Sequence, residues 1–228
     1  MNFAVLIKTK NVFVLKKTAA IIMEQFDRKN HWENIYQNKA LENLSWFEPN
    51  AEAALKQFED LKISKQANII DIGGGDSLLV DHLINLGFEN ITVLDISEEA
   101  IIRAQKRLGH LAQKATWIVS DITAFKPTES YDFWYDRAVF HFLTTQEEIN
   151  QYLEIMFEAT SANALASIGT FSLNGPQKCS GITIKQYDEK DLVQTFNTYF
   201  ERLFCTEINH CTPSLAIQQF IFCSFKKR

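Results

Sequence analysis

The sequence predicts an α/β protein with a doubly wound sheet of seven mostly parallel strands, the last of which is antiparallel. Short apolar runs alternate with segments whose apolar residues recur at helical spacing, and strands separated by helices run parallel. Three consecutive glycines follow the first apolar run, as in loops that approach a ligand closely. The last two strands are joined by too few residues for a helix, so we expect them to be antiparallel.

The first half of the predicted fold places two helices before the sheet and then alternates strand and helix. Each helix is marked by apolar residues at helical spacing. Gly87 and Gly109 are suited to end two of the helices, and Ser97 is suited to cap one of them. The predicted elements are helix 27–39, helix 49–62, strand 66–73, helix 76–87, strand 91–97 and helix 97–109.

The second half continues the alternation and closes with two strands. Its strands are apolar runs between polar segments, and its helices again show helical apolar spacing. The loop between the last two strands centres on Pro213 and Ser214. The predicted elements are strand 115–122, strand 131–139, helix 144–161, strand 164–173, helix 189–200, strand 201–210 and strand 217–227.

Residues 1–26 differ in composition from the rest of the chain. Met1 to Met23 carries four lysines and no acidic residue, and its apolar runs are too short for a membrane span or a signal peptide. We expect residues 1–26 to be an N-terminal extension that is disordered, or whose first 22 residues are not translated because translation begins at Met23. Residues 27–228 are expected to form a single domain, in which residues 27–60 supply lid helices.

Composition argues against several classes of partner. The formal net charge is −5 and the isoelectric point is about 5.6, so an extended nucleic-acid surface is not predicted. No membrane partner is predicted either, and the sequence sets no oligomeric state. The four cysteines lie in the last quarter without C-x-x-C or metal-ligand spacing. They predict reduced thiols, a cytoplasmic protein and no metal site.

Three successive strands each end in an aspartate, at Asp71, Asp95 and Asp121. Because parallel strands present their carboxyl ends at one edge of the sheet, we expect the three carboxylates to line one ligand site. A dinucleotide fingerprint would need a third glycine at Leu78, so a nicotinamide or flavin site is disfavoured. Asp71 is suited to an ammonium group, Asp95 to ribose hydroxyls and Asp121 to an adenine amino group.

These motifs resemble the class I S-adenosylmethionine-dependent methyltransferases, from about Asn30 to the C-terminus. The resemblance rests on "DIGGGDS", "VLDIS", "VSDI" and the terminal strand pair. It is closer to a bacterial subgroup related to protein-lysine and thiopurine methyltransferases, through "HWENIYQNK", "LSWFEP", "YDFWYDRAVFHFL" and "CSGITIKQYD". The resemblance implies a Rossmann-like methyltransferase fold with S-adenosylmethionine as cofactor. The implied cofactor residues are Asp71, Gly73, Gly74, Gly75, Ser77, Asp95, Ile96, Asp121, Ile122, Asp136 and Arg137.

The fold also predicts which side chains surround the transferring methyl group. We predict Asp136 and His141, at the end of the fourth strand and just beyond it, as candidates for proton transfer to or from the acceptor. The alternatives are a structural ion pair between Asp136 and Arg137, and a cap or core role for His141. The predicted substrate residues are Trp32, Tyr36, Trp46, Phe140 and His210.

The predicted function is transfer of a methyl group, by in-line displacement, to a protein lysine or to a small-molecule nucleophile. The net acidity leans slightly toward cationic acceptors. A closed pocket under the N-terminal helices would favour a small molecule, whereas an open acidic groove with an aromatic cage would favour a lysine. The alternative is a scaffold of the same fold that binds S-adenosylmethionine or a nucleotide without catalysis.

Overall fold

The computed structural model describes residues 26–228, so the predicted N-terminal extension lies, apart from Phe26, outside the described residues. Seven strands form one sheet in the order β3-β2-β1-β4-β5-β9-β8. Strands β1 to β5 run parallel, and β9 is antiparallel to both β5 and β8. This confirms the predicted fold class, including the antiparallel last strand. The strands of this sheet are β1 (Asn68–Ile72), β2 (Asn90–Asp95), β3 (Ala115–Val119), β4 (Tyr131–Arg137), β5 (Thr160–Phe171), β8 (Phe200–Cys211) and β9 (Ile217–Lys227).

Helices cover both faces of the sheet, as expected of a doubly wound fold. We call the face that carries Asp71 and Tyr135 the front face, and the face that carries Ile72 and Asp136 the rear face. The helices α2 to α4 pack on the front face, and α5 and α6 pack on the rear face. The helices are α1 (Arg28–Asn38), α2 (Glu52–Asp60), α3 (Leu79–Asn85), α4 (Glu98–Leu108), α5 (Gln146–Ala159) and α6 (Glu189–Phe196).

Each face has its own apolar core. On the front face, the ring of Phe58 in α2 packs edge-on against Phe133 in β4, with ring centroids 4.8 Å apart. On the rear face, Tyr152 and Met156 of α5 are fully buried against Trp134. Burial of each such side chain adds about 1.5–3 kcal/mol to the free energy of unfolding. The predicted N-cap of α4 is confirmed, because the Ser97 hydroxyl accepts a hydrogen bond from the backbone N–H of Ala100 at 3.1 Å.

A small hairpin between β5 and α6 was not predicted from the sequence. Its strands are β6 (Lys178–Cys179) and β7 (Ile182–Thr183), joined by Ser180 and Gly181. Strands of two residues are too short to show the alternation that marks a strand. The hairpin matters for the site, because Cys179 and Ile182 form part of its wall.

The state of the cysteines differs from the prediction. Cys205 lies directly opposite Cys223 in the antiparallel β8–β9 pair, and their sulfurs form a disulfide. The prediction of four reduced thiols is therefore wrong for these two, while Cys179 and Cys211 are free. Directly opposite residues of antiparallel strands bring their Cβ atoms together, and this register cannot be read from cysteine spacing alone.

Candidate active site

A cavity opens at the carboxyl edge of the parallel strands, where the sequence predicts the site. It runs in sheet order from Asp121 after β3, past Asp95 and Asp71, to Arg137 at the end of β4. The lid segment before the sheet forms its roof. The predicted site residues that line the cavity are Trp32, Tyr36, Trp46, Asp71, Gly73, Gly74, Ser77, Asp95, Ile96, Asp121, Ile122 and Arg137.

The glycine loop is held so close to the strand-end carboxylates that side chains would not fit. The N–H of Gly73 donates to the carbonyl of Leu94 at 2.7 Å, which ties the loop to β2. A Cβ on Gly74 would lie 2.5 Å from Oδ2 of Asp71, and a Cβ on Gly75 would lie 2.6 Å from Oδ2 of Asp95. Glycine at these two positions therefore lets the loop backbone pack directly against the carboxylates of Asp71 and Asp95.

Two arginines of α4 fix the end of the glycine loop, and sequence reasoning missed both. Asp76, which is 3% exposed, forms ion pairs with Arg103 and Arg107. Arg107 also bonds Asp81 and the carbonyl of Ser77 at 2.9 Å. Because the arginines are one turn apart on α4, they share a face, and this spacing was the available signal. The loop is thus held by charge-assisted hydrogen bonds in addition to backbone contacts.

The lid helix α1 is attached to the same helix through Glu33, a second residue that sequence reasoning missed. Its carboxylate accepts hydrogen bonds from the hydroxyl of Ser97 at 2.7 Å and from the N–H groups of Glu98 at 2.8 Å and Glu99 at 3.0 Å. These are the unpaired donors at the start of α4. Burial acts to raise the pKa of Glu33, but these hydrogen bonds outweigh it and the pKa is lowered. Glu33 therefore couples the lid to the strand end that carries Asp95.

Aromatic side chains form the roof of the cavity. The rings of Trp32 and Trp46 meet edge to face with centroids 5.6 Å apart, and Trp32 meets Phe142 at 5.3 Å. Tyr36 is buried beneath them, with its centroid 6.1 Å from that of Trp46. Edge-to-face packing of this kind makes a rigid apolar wall. The predicted lid residues are therefore in place over the cavity.

The carboxylates at the ends of β1 and β2 are buried, and this burial favours a ligand that carries a positive charge or donates hydrogen bonds. Burial raises the pKa of Asp71 well above its ordinary value, the Asp136 and Asp95 carboxylates raise it further, and Arg137 opposes the shift. Burial also raises the pKa of Asp95 to about 7, although the N–H of Ser97 donates to Oδ1 at 2.8 Å. A desolvated carboxylate is stabilised by any cation or hydroxyl donor that reaches it.

Asp121, at the end of β3, keeps part of its carboxylate free of local bonds. Its Oδ1 accepts from the N–H of Thr123 at 2.9 Å and from the Thr123 hydroxyl at 2.8 Å. Within residues 26–228, no hydrogen bond is made by Oδ2. The structure therefore brings Asp71, Asp95 and Asp121 to one cavity in the predicted order.

Asp136 lies away from the cavity, although the sequence predicts it as a catalytic and cofactor residue. Successive strand residues point to opposite faces, so Asp136 points to the rear while Arg137 points to the front. Its carboxylate accepts from the hydroxyl of Tyr152 at 2.7 Å and from the N–H groups of Val139 at 2.9 Å and Phe140 at 3.2 Å. The predicted ion pair with Arg137 is therefore not formed, and Asp136 instead fixes the turn after β4.

Three further predicted residues are also packed behind the cavity wall. His141 is fully buried, and burial lowers its pKa to about 3, which leaves it neutral and without a role as a base near neutral pH. This matches the alternative that His141 is a core residue. Phe140 is fully buried in the rear core. The Nε2 atom of His210 is hydrogen-bonded to the carbonyl of Ser45 at 2.8 Å, so His210 supports the lid segment from outside the cavity.

Tyr135 and Arg137 share the front face at the β4 end of the cavity. Arg137 donates from Nη1 to the carbonyl of Trp46 at 3.1 Å, and its Nη2 lies 3.9 Å from the carboxylate of Glu48. Burial raises the pKa of the Tyr135 hydroxyl well above its ordinary value. Sequence reasoning missed Tyr135, although the alternation of β4 places it on the face of Arg137.

The described residues offer neither a membrane-spanning helix nor a cluster of metal ligands. Among residues 26–228, no helix has the length and apolar character needed to cross a membrane. In the same residues, no group of three or more side chains could hold a metal ion.

The fold and this cavity define a Rossmann-like methyltransferase architecture. Residues 69–163 match the family model of a methyltransferase domain, and these residues include the glycine loop and the three strand-end aspartates. The predicted family, the class I S-adenosylmethionine-dependent methyltransferases, is thereby confirmed, and S-adenosylmethionine is its cofactor.

Curated relatives are distant and act on different acceptors. The chain is 24% identical to the eEF1A lysine and N-terminal methyltransferase of Mus musculus over 126 residues, which are 55% of this chain and 18% of that protein. It is 27% identical to malonyl-acyl-carrier-protein O-methyltransferase 2 of Ilyobacter polytropus over 88 residues, which are 38% of this chain and 34% of that protein. The chain thus spans less than half the length of either relative.

Solved structures share the fold over most of the chain. An S-adenosylmethionine-dependent methyltransferase from Anabaena variabilis matches with a TM-score of 0.68 at 16% identity, covering 90% of this chain and 96% of that one. The 1,6-didemethyltoxoflavin-N1-methyltransferase of Burkholderia thailandensis, solved with its acceptor and S-adenosylhomocysteine, matches with a TM-score of 0.63 at 14% identity. That match covers 93% of this chain and 89% of that one. At these identities the likeness shows the fold.

Proposed function

We propose that this protein transfers a methyl group from S-adenosylmethionine to a small-molecule acceptor inside the cavity. The observation that carries the proposal is the row of Asp121, Asp95 and Asp71 along one cavity, with the bare glycine loop between the last two. These groups suit, in turn, an adenine amino group, ribose hydroxyls and an ammonium group. A cofactor laid along this row would end near β4, where the acceptor would meet it.

The chemistry of the row fits this cofactor better than a dinucleotide. Asp71 and Asp95 are buried carboxylates with raised pKa values, so an ammonium group and hydroxyl donors would stabilise their ionised forms. A pyrophosphate beside them would add negative charge to a site that already disfavours it.

The residues of the chain contribute positioning and exclusion of water. When bound, the cofactor would supply an electrophilic methyl group on a cationic sulfur, and this sulfur would become a neutral thioether once the methyl group had passed to a lone pair of the acceptor. The roof of Trp32, Trp46 and Phe142 keeps the reacting atoms out of bulk water and limits their approach to one line. Asp136 acts as a positioning residue, because it holds the turn that contributes Ala138 and Val139 to the wall.

The roof favours a small molecule over a protein lysine. Trp32, Tyr36 and Trp46 pack on one another and cover one side of the cavity, whereas a lysine stem needs an open channel to the surface. Neither Asp136 nor His141 lines the cavity, so the acceptor would arrive with its lone pair available, as in a thiolate, a carboxylate or a neutral amine.

A labelled-methyl assay tests this function. Methyl-labelled S-adenosylmethionine is incubated with the protein and, separately, with the ultrafiltrate and the desalted protein fraction of a cell lysate. We expect label in a new small molecule from the ultrafiltrate, and none with an Asp95→Ala variant as the cofactor-defective control. Label in the protein fraction alone would contradict the choice of acceptor. Cofactor binding without transfer to either fraction would favour the non-catalytic scaffold.

A further inference from the structure

We propose that Tyr135 and Arg137 form an anion subsite at the β4 end of the cavity, which holds a carboxylate on an aromatic methyl acceptor. The inference rests on the proposed function, since it names the chemical class of the acceptor for the same site. It replaces the slight preference for a cationic acceptor that net charge alone suggests. Tyr135 and Arg137 are here specificity-determining residues.

Unpaired donors on the cavity wall are the first observation. Tyr135 is 2% exposed, and its hydroxyl has no hydrogen-bond partner among residues 26–228. The Nε and Nη2 atoms of Arg137 are also buried and have no hydrogen-bond partner within this part of the chain, although Nη2 lies 3.9 Å from the Glu48 carboxylate. Buried donors are nearly always paired, so their lack of a partner points to a ligand that accepts hydrogen bonds.

The geometry of the two side chains is the second observation. They lie two positions apart on β4, so both point to the front face and both line the cavity. Nε and Nη2 form one edge of the guanidinium plane, which is the edge that binds a carboxylate through two parallel hydrogen bonds. The Nη1 atom is occupied by the carbonyl of Trp46, which fixes the plane of the group.

The charges around Arg137 leave room for a second anion. Glu48 lies 3.9 Å from Nη2, which is beyond hydrogen-bond length, and its Oε1 already accepts from the N–H of Ala53 at 3.0 Å. Asp71 is the neighbour of Tyr135 in the sheet register, on the side of the cofactor row. If the ammonium group of the cofactor neutralised Asp71, the guanidinium of Arg137 would remain available to bind an anion on the methyl acceptor.

Apolar side chains share the cavity wall with the subsite. Trp46, Val139 and Phe142 line the cavity beside Arg137, and Phe142 continues the aromatic roof through Trp32. Such walls favour a planar apolar body, while the guanidinium fixes one charged end. An aromatic acid has both features.

Calorimetry on the full chain tests the subsite with three probes of the same shape. Benzoate, benzamide and benzylamine are titrated into the protein, with and without saturating S-adenosylhomocysteine. We expect benzoate to bind about tenfold or more tightly than benzamide, because its hydrogen bonds to Arg137 are charge-assisted, and benzylamine not to bind. Arg137→Met should abolish the preference for benzoate, and Tyr135→Phe should reduce it severalfold.

Tyr131→Phe is the control, because Tyr131 lies on the same strand but packs in the rear core, where its hydroxyl bonds Glu129 away from the cavity. It should leave the affinity for benzoate unchanged. Equal binding of the three probes, or tighter binding of benzylamine, would overturn the proposal. So would an equal loss of S-adenosylhomocysteine affinity in Arg137→Met, since the anion would then be the cofactor's own carboxylate. If wild-type protein fails to bind S-adenosylhomocysteine, the proposed function fails, while the titrations without it still decide the subsite.

Discussion

Replacing Asp95 with asparagine tests the assignment of the ribose site. The substitution keeps the shape of the side chain and an oxygen that can accept from Ser97, whose N–H lies 2.8 Å from Oδ1 of Asp95. It removes the negative charge that two ribose hydroxyls would face. A hydrogen bond to a charged group contributes about 1.5–3 kcal/mol, so the loss should be about 3 kcal/mol, or about a hundredfold in affinity.

The same substitution should have the opposite effect on the protein without cofactor. Burial raises the pKa of Asp95 to about 7, so the ionised carboxylate is unfavourable in the folded state. A carboxyl whose pKa is raised on folding contributes stability below its ordinary pKa and loses it as the pH rises toward the folded value. Asp95→Asn should therefore raise the melting temperature of the free protein at pH above about 7, and much less at pH near 4.

Calorimetry with S-adenosylhomocysteine across pH 6 to 8 and a thermal melt without ligand measure both effects. In wild-type protein, ionisation of Asp95 should accompany binding, so the contribution of Asp95 to the affinity should rise with pH up to about 7 and then level off. In the variant that dependence should weaken. Unchanged affinity in Asp95→Asn would refute the ribose assignment, whatever happens to stability.

Further predictions concern Glu33, Asp136, His141 and the disulfide. Glu33→Gln should weaken the attachment of the lid to α4 and cost about 1–3 kcal/mol in urea unfolding, because it replaces charge-assisted bonds to three donors; unchanged stability would contradict this. Asp136→Asn should lower stability and any turnover while leaving S-adenosylhomocysteine affinity within a few fold, and a fully stable, active variant would remove its positioning role. Burial lowers the pKa of His141 to about 3, so wild-type protein should lose stability as the pH drops below about 6.5. His141→Gln should lose less stability over the same pH range, and an equal dependence of stability on pH in the two proteins would contradict this prediction. Reduction of the Cys205–Cys223 disulfide should cost about 3 kcal/mol in urea unfolding, and Cys205→Ser should be insensitive to reductant; four titratable thiols in native protein would exclude the disulfide.

The sequence predicts the sheet and the carboxylate row because both depend on local patterns. Apolar runs and helical spacing define the strands and helices, and the ends of parallel strands must meet at one edge. Asp71, Asp95 and Asp121 follow from that rule without knowledge of any contact. The glycines also follow, because close approach of backbone to a carboxylate excludes a Cβ.

Features that depend on register or on distant contacts were not predictable in the same way. Cys205 and Cys223 pair only because the β8–β9 register places them opposite each other. Glu33 reaches residues more than sixty positions along the chain, so no local pattern marks it. Asp136 was assigned to the site by its position at a strand end, but the alternation of β4 turns it to the rear face and could have predicted this. The same alternation identifies Tyr135.

The most direct test of the account is calorimetry of the wild-type protein with S-adenosylhomocysteine and with NADH. The row of strand-end aspartates and the bare glycine loop predict one site that binds S-adenosylhomocysteine and does not bind NADH. Binding of NADH without binding of S-adenosylhomocysteine would contradict the assignment of this cavity to a methyl donor.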